Sequence, residues 1–428
     1  MSEDHSTLSW FLRSIIREYQ ADAMIVGEDR NIGCIFFILV TKDFKRKERL
    51  HCIILSLSGA GKTTLAEAMV KPFIQFKASD VIKVTRFSGP ALERMKTSLD
   101  GTILFHSQAT GQEPTTIRPL LSEGELGLLI TEVDDKGNYQ STVMHAEGMP
   151  VYLGTTTNPT LDQEFLRRLI ERTMDESNEQ TRKIKGIQAE EYKWHPPSAT
   201  SFEFIRQILE RICTFKPAES IESVLIPYSS KLSELIPDTV EMRSLFPKFL
   251  RLIASIAIVK SICYRGYYTV PASKSTTANV VVATQEDFRD ALYCAGEYFF
   301  QPLSDASIRI LEYLRVNKDL VLDEEEHSKR QPGEFTVNDL TNTDALGMAW
   351  GTIRKYVDEL ETKGLVQVRQ VNVPRKTYYV RYVKDPIKPT MLVEDFDTTS
   401  WIATEIPGSQ LKTIEAPVSP PEPPPVDL

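Results

Sequence analysis

The stretch LSLSGAGKTT, residues 55–64, joins an apolar segment to a helical one through small residues and a lysine. A helix amino terminus preceded by glycines turns several backbone N–H groups toward one point, and only small residues let a phosphate come that close. Gly59, Ala60 and Gly61 supply the small residues. Lys62 adds a point charge suited to the β and γ phosphates, and Thr63, with Thr64 beside it, a hydroxyl suited to Mg2+. One residue departs from the GxxxxGK[ST] arrangement: Ser56 stands at the first glycine, where glycine eases the turn out of a strand. Serine is small, so weakened geometry is expected and not loss of the site. The same glycines would also serve a strand-to-helix turn that holds no ligand, but the order strand, loop, helix favours the phosphate.

Nucleotide hydrolysis also needs an acidic residue at the end of a neighbouring strand and a carboxylate that activates water. The natural second strand, GTILFHSQATG (101–111), ends in His106, Ser107 and Gln108 and offers no carboxylate. A glutamine orients water but is no general base. One alternative stays open: LLITEVDD ends an apolar run with Glu132, Asp134 and Asp135, and its spacing from Lys62 suits the acidic strand. A hairpin explains the stretch better, because Asp134, Asp135, Lys136, Gly137 and Asn138 have turn composition and a second extended arm follows.

These residues need elements to hold them. Leu8, Leu12, Ile15, Ile16 and Tyr19 fall at helical spacing and predict an amphipathic opening helix. Two apolar runs follow, GCIFFILV and LHCIILSL, separated by the basic KDFKRKER, which is read as a solvated loop; the second run enters the Gly-rich loop. With TILFH and VYLGTTT they predict a mixed α/β core of mostly parallel strands. From about 185 to 300, helical runs such as FEFIRQILERIC and FLRLIASIAIVKSIC predict a separate helical lid. After the polar LDEEEHSKRQPG, the order helix, turn, helix, two strands predicts a winged helix, with the helix around Trp350–Leu360, including Arg354, against a duplex and a basic wing tip at Arg375 and Lys376.

Net charge is −9, but it is segregated: residues 385–428 hold eight acidic residues against two lysines, whereas 363–384 hold six basic residues and no acidic one. The basic stretch favours phosphate contact, although a winged helix used for protein contact stays open. The end, APVSPPEPPPVDL, is proline-rich and acidic and is expected to be disordered. No apolar run approaches the roughly 20 residues of a membrane span. The amino terminus lacks the basic start of a secretory signal and the five cysteines are scattered, so a cytoplasmic protein without structural zinc is expected.

In order and spacing, SGAGKTT, GTILFHSQATG, LLSEGELGLLITE, VYLGTTTNP and RRLIERTMDESNEQT resemble the AAA+ ATPase module of the minichromosome maintenance helicase group. The likeness is greatest to the helicase-like modules that accompany primases in prokaryotic plasmids, viruses and integrative elements. The resemblance covers about residues 30–385 and implies an α/β fold: a P-loop AAA+ core with a β-hairpin insertion, a helical lid and a C-terminal winged-helix domain. The implied partition is 1–30 as an N-terminal helical segment, 31–184 as the core, 185–320 as the lid, 321–385 as the winged helix and 386–428 as a disordered tail. It implies ATP and Mg2+ as cofactors, with Lys62 and Thr63 holding them. Asn158 in TTTNP is similar to a sensor 1 residue, and Arg168 falls where an arginine finger reaches a neighbouring subunit, with Arg167 and Arg172 as competitors. Arg243 is similar to a sensor 2 arginine. Lys136 at the hairpin tip would face DNA in a central channel, or be a solvated turn lysine. Such modules form rings, a hexamer being the family expectation, and a mixed ring or a primase or replication partner is also implied. The departure is at the acidic pair, where Ser107 and Gln108 stand, or His106 and Ser107 in the other register. The expected function is therefore an ATP-binding helicase-like protein acting on DNA in replication of a mobile or viral element. Two rivals stand beside it: a nucleotide-gated DNA-binding protein or inactive motor subunit lacking efficient hydrolysis, and a winged-helix transcription factor with a decayed ATPase domain.

Overall fold

The opening helix α1 (Trp10–Ala23) forms as its spacing predicts, burying Phe11, Leu12, Ile15, Ile16 and Tyr19 on one face. Ser9 caps it by accepting the Leu12 N–H at 3.1 Å. The run GCIFFILV belongs to a second helix, α2 (Asp29–Leu39), in which Asn31 through Leu39 are all buried. A continuous apolar run fits a buried helix as well as a buried strand, and here the helix prevails. The computed structural model describes the chain outside residues 1–7, 87–96, 110–113, 134–138, 159–160, 192–201, 237–239, 241, 272–275, 301–304, 321–329, 344, 363, 372–376, 384–395 and 419–428. The chain forms two compact units, the first comprising Met1–Ser229, Ser244–Phe299 and Val393–Leu428, the second Ser230–Arg243 and Phe300–Leu392.

In the first unit, β1 (Cys52–Leu55) enters the Gly-rich loop and α3 (Lys62–Lys77) leaves it. Strand β2 (Val81–Val84) follows, then β3 (Ile103–His106) and α4 (Pro114–Ser122). Among the described residues, strands β4 (Glu125–Val133) and β5 (Tyr139–Glu147) pair only with each other, antiparallel, from Glu125 opposite Glu147 to Val133 opposite Tyr139. Next come β6 (Val151–Thr156) and the short β7 (Ile170–Arg172). The main sheet has the order β2-β3-β6-β1-β7, with every pair parallel. Strands of such a sheet are covered on both faces, which is why CIIL, ILFH and VYLGTT read as unbroken buried runs and not as alternating ones.

His51, fully inside, joins three of these elements. Its Nδ1 accepts the Tyr152 N–H at 3.2 Å, so its Nε2 carries the proton and faces the Leu121 carbonyl at 3.2 Å, while its own carbonyl accepts from Ile170 N at 2.8 Å. The basic KDFKRKER is anchored, contrary to the solvated loop expected. Lys42 pairs with Asp80 at 2.8 Å, and Arg46 and Arg49 both reach Asp100 at 2.6 Å.

The region expected as a separate lid divides differently. Helices α5 (Asn178–Glu191), α6 (Glu203–Phe215), most of α7 (Met242–Lys260) and α8 (Gln285–Phe300) share a unit with the main sheet. Helix α6 packs on α1, and Ser255 of α7 donates to the Phe37 carbonyl of α2 at 2.7 Å, so the opening helix is no separate segment. The region also contains strands β8 (Ser223–Leu225), β9 (Tyr267–Pro271) and β10 (Thr277–Val282). A buried ionic cluster ties α7 to α8 and α1: Lys260 lies 2.7 Å from Asp290, Arg265 lies 2.8 Å from Asp287, and Asp290 accepts the Ser9 N–H at 3.1 Å. Charges so enclosed are tolerated because each is paired.

The second unit contains α9 (Asp305–Val316), β11 (Glu334–Thr336), α10 (Val337–Thr341), α11 (Trp350–Thr362), β12 (Val366–Val371) and β13 (Thr377–Tyr382). Its sheet has the order β11-β13-β12, and Ile310, Leu314, Phe335, Leu340, Val357 and Val380 fill its core. Thr336 and Asp339 form a reciprocal capping box at the start of α10.

The tail expected to be disordered is folded over much of its length. After α12 (Thr398–Glu405), β14 (Gln410–Lys412) adds to the edge of β9, giving a sheet ordered β14-β9-β10-β8. Arg211 donates to the Glu415 carbonyl at 2.9 Å, and Val418, buried, donates its N–H to the Cys263 carbonyl at 2.9 Å. Gly266, at φ +91°, lets this strand approach, since a Cβ there would lie 2.4 Å from the Lys412 carbonyl oxygen. Within 396–418 the chain finds backbone partners despite its prolines, and residues 419–428 lie outside the described residues.

Candidate functional site

The Gly-rich loop leaves β1 at Ser56 and ends at Gly61, which caps α3 in the left-handed region at φ +85°; Gly59 has φ +83°. A side chain at either position would be strained, and around Gly59 nothing lies within 4 Å of a Cβ, so the ligand side of the loop is open. Ser56 is no defect. Its Oγ accepts the Met174 N–H at 2.7 Å and its own N–H faces the Thr156 carbonyl at 3.4 Å, which pins the loop entry to the segment after β7. Thr63 and Thr64 are exposed at the first turn of α3.

Lys62 is 8% exposed, and its ammonium donates to the loop's own carbonyls, Ser56 O at 2.8 Å and Leu57 O. Burial lowers its pKa, opposed by the negative charge of Glu176. Glu176 itself, exposed, accepts the Leu57 N–H at 2.9 Å. The loop entry at Ser56 and Leu57 is thus held by one lysine and one carboxylate, while the loop at Gly59 stays open.

Two strand ends stand beside the loop, at the carboxyl edge of the parallel sheet where ligands of such folds bind. The hydroxyls of Thr155 and Thr156 donate to the Ser107 and Ala109 carbonyls at 2.5 and 2.7 Å, and Ala109 N–H returns to Thr155 O at 2.8 Å. Gln108 is held between those carbonyls with its side chain exposed. Asn158, half-buried, follows β6 and donates its N–H to Thr156 Oγ1 at 3.0 Å. His106 is buried in the sheet against the Tyr152 hydroxyl at 3.1 Å, which removes the register that would put it at the site. Glu132 lies on β4, outside the five-stranded sheet, so it does not occupy the strand end that the alternative acidic strand required. Asp134, Asp135 and the proposed hairpin-tip Lys136 lie outside the described residues.

A cavity of about 580 Å³ is lined by the start of α2, the segment after β7, the first turns of α5 and Glu297 of α8. Its wall is tightly bonded: Arg172 Nε donates to Asn31 Oδ1 at 2.6 Å, Asn31 Nδ2 to Thr173 O at 2.9 Å, and Asp175 N to Glu28 Oε1 at 2.9 Å. Burial raises the Glu28 carboxyl above its usual pKa, against these hydrogen bonds. Because Met174 binds Ser56 and Glu176 binds Leu57, the cavity wall and the loop share one segment.

Arg172, buried in its own wall, is thereby excluded as a finger reaching another subunit. Arg168 is half-buried on the turn before β7 and bonds Ser122 and the Glu164 carbonyl, while Arg167 beside it is exposed. Arg243 is exposed and belongs to the second unit. In that unit Arg354 of α11, expected to face DNA, is half-buried, its guanidinium 4.1 Å from the Tyr378 ring centre and 2.7 Å from Asp358; Lys355, next to it, is exposed. Arg375 and Lys376 lie outside the described residues. Sequence reasoning missed Asn31 and Glu176; for Glu176 the signal was the polar run MDESNEQT, which had no evident partner.

No protein-family model matches the chain, and no curated protein matches it in sequence. Among solved structures it is similar to a full-length MCM homolog from Methanopyrus kandleri, at 15% identity and TM-score 0.36, covering 70% of this chain and 62% of that one. It is similar to the apo C-terminal region of NrS-1 at 11% identity and TM-score 0.29, covering 88% and 76% of the two chains. A third is the Aeropyrum pernix ORC1 protein solved in complex with DNA, at 12% identity and TM-score 0.25, covering 89% and 94%. The chain spans less than two thirds of the MCM homolog's length.

Proposed function

We propose that this chain is an AAA+ nucleotide-binding protein that acts on DNA, in replication of a mobile or viral element. The observation that carries the reading is the open Gly59–Gly61 loop with Lys62, set in a parallel sheet of order β2-β3-β6-β1-β7 with Asn158 at the end of the adjoining strand. ATP would lay its phosphates on the loop and the first turn of α3, with Lys62 turning from the Ser56 and Leu57 carbonyls to meet them. Thr63 would hold Mg2+, which supplies charge neutralisation between the β and γ phosphates. The base and ribose would enter the cavity between α2 and the segment after β7. Asn158 would orient water, and Arg168 or Arg167 would complete the site of a neighbouring copy in a head-to-tail ring, a hexamer or a mixed ring. In the second unit, strands after two helices support a winged-helix reading, with Lys355, Arg375 and Lys376 toward phosphate and Lys136 of the first unit toward a channel. A primase or another replication protein is the partner this reading implies.

A second reading is favoured by Gln108. With Ser107 and Gln108 at the end of β3, ATP would gate assembly and DNA binding without efficient hydrolysis, as in an inactive subunit of a mixed motor. Nucleotide binding and oligomer size measured on the purified chain, beside Lys62→Ala, test the common ground. Binding and an ATP-dependent size shift that both vanish in Lys62→Ala are expected; DNA binding indifferent to ATP and to Lys62 would leave a winged-helix transcription factor instead.

A further inference from the structure

We infer that Glu176 is an anionic gate of the phosphate loop, a residue that sets nucleotide affinity according to the ligand's negative charge; this rests on the nucleotide reading above. Three observations carry it. The carboxylate accepts the Leu57 N–H at 2.9 Å, two residues from Gly59 where the loop lies open. Lys62 donates at the same place, to the Ser56 and Leu57 carbonyls, so the acid and the base close one loop entry from opposite polarities. Glu176 also belongs to the segment whose Met174 N–H binds Ser56 Oγ and whose Asp175 N–H binds Glu28 Oε1 in the cavity wall.

A polyphosphate arriving on the loop brings several negative charges toward the Glu176 carboxylate and draws Lys62 away from it. Both changes raise the energy of the Glu176–Leu57 contact, so filling the loop turns Glu176 outward. Its side chain is exposed and has room to do so. Release of the contact removes one of three bonds that hold the 174–176 segment, the others being Met174 N–H to Ser56 Oγ and Asp175 N–H to Glu28 Oε1. The gate therefore opposes ligands in order of charge, strongly for a triphosphate and not at all for a nucleoside. It also links occupancy of the loop to the position of the chain entering α5. Glu176 does not stand at the strand end beside Gln108: it follows β7, on the other side of β1 from β6 and β3, and is not a substitute for the missing general base.

The test is calorimetric titration of the full-length chain with ATP and Mg2+, with inorganic tripolyphosphate and with adenosine, for wild type, Glu176→Gln, Glu176→Ala and Lys62→Ala. Glutamine keeps an acceptor for Leu57 and removes only the charge, whereas alanine removes both. Both variants are expected to bind ATP and tripolyphosphate about threefold to tenfold tighter than wild type, with adenosine unchanged and the gain shrinking as salt rises. Unchanged or weaker polyphosphate binding in both variants, or a gain only in alanine, would overturn the gate. So would loss of ATP turnover at unchanged affinity, which would make Glu176 part of the chemistry. If wild type binds no ATP and the Glu176 variants also bind none, the nucleotide reading falls and the gate with it; binding that appears only in the variants supports both.

Discussion

Acid should weaken the main sheet through His51, and the size of the effect follows from where the ring sits. Burial, with the positive charges of Arg251, Arg49 and Lys248 adding to it and the Leu121 carbonyl opposing, brings its pKa from 6.5 to about 3. A folded pKa below the unfolded one means that protons favour the unfolded chain. The neutral ring's contribution is complete above 6.5 and is lost as pH falls from 6.5 toward 3. At 1.36 kcal/mol per unit, acidification from pH 7.5 to 5.0 costs about 2 kcal/mol. Glu18 acts with the opposite sign. Its carboxyl on α1 accepts the Phe204 and Ile205 N–H groups at 2.7 Å, yet burial raises its pKa from 4.5 to about 7. Its contribution is complete below 4.5 and is lost as pH rises through 7. Because Glu18 is partly exposed, its recovery on acidification is discounted to about 1 kcal/mol. Urea unfolding followed by circular dichroism at the two pH values should therefore show a net loss of about 1 kcal/mol in wild type from this pair and about 2 kcal/mol in Glu18→Gln. His51→Asn, less stable at both pH values, should lose the acid penalty. If Glu18→Gln matches wild type in its pH dependence, the role given to Glu18 is wrong; if it gains stability in acid, the role given to His51 is wrong.

Ser56→Gly restores the consensus residue but removes the bond to Met174 N, so the chain should lose about 1 kcal/mol of stability while still binding nucleotide; thermal unfolding and nucleotide titration would show it, and a stabilised variant would contradict the role given to Ser56. Gly266→Ala places a Cβ against the Lys412 carbonyl, so β14 should leave the edge of β9. Limited proteolysis within 396–418 should then be faster than in wild type, and equal cleavage rates would count against docking of this strand. Arg354→Ala should lower the stability of the second unit by about 1 kcal/mol, with a smaller effect on DNA affinity than Lys355→Ala in a filter-binding titration at low salt. The reverse order would mean that Arg354 leaves Tyr378 to reach phosphate.

The loop and its strand were legible because their chemistry is local. Glycines at left-handed positions, a lysine and two threonines in ten residues read the same in sequence and in space. The strands CIIL, ILFH and VYLGTT were legible because burial on both faces leaves an unbroken apolar signature. That signature misled at GCIFFILV, where a helix buried all round carries the same composition. Long-range pairing left no local trace. Nothing near Ser56 announces Met174, nothing near Asn31 announces Arg172, and the edge of β9 does not announce residues 410–412. Composition also averaged over too long a window at the carboxyl terminus, where the six prolines and two acidic residues of APVSPPEPPPVDL obscured a segment held by backbone bonds.

The absence of a carboxylate at the end of β3 concerns one side chain more than the site. Thr155 and Thr156 fix the carbonyls on either side of Gln108, and those bonds involve no atom of the glutamine side chain. Glutamic acid at 108 therefore fits the same exposed turn without disturbing a described hydrogen bond there. Position 107 is different, since the Ser107 hydroxyl faces the Val84 carbonyl at 3.5 Å and an aspartate would set an anion against it. Gln108→Glu alone is thus the cleaner restoration. A positioned general base contributes about 10²- to 10⁴-fold, so single-turnover ATP hydrolysis should rise by at least about tenfold even with Ser107 retained, and the rise should vanish when Lys62→Ala is added. A variant that binds ATP as wild type does and turns over no faster would show that the β3 end has lost more than its acid, and that this chain works by holding nucleotide and not by cleaving it.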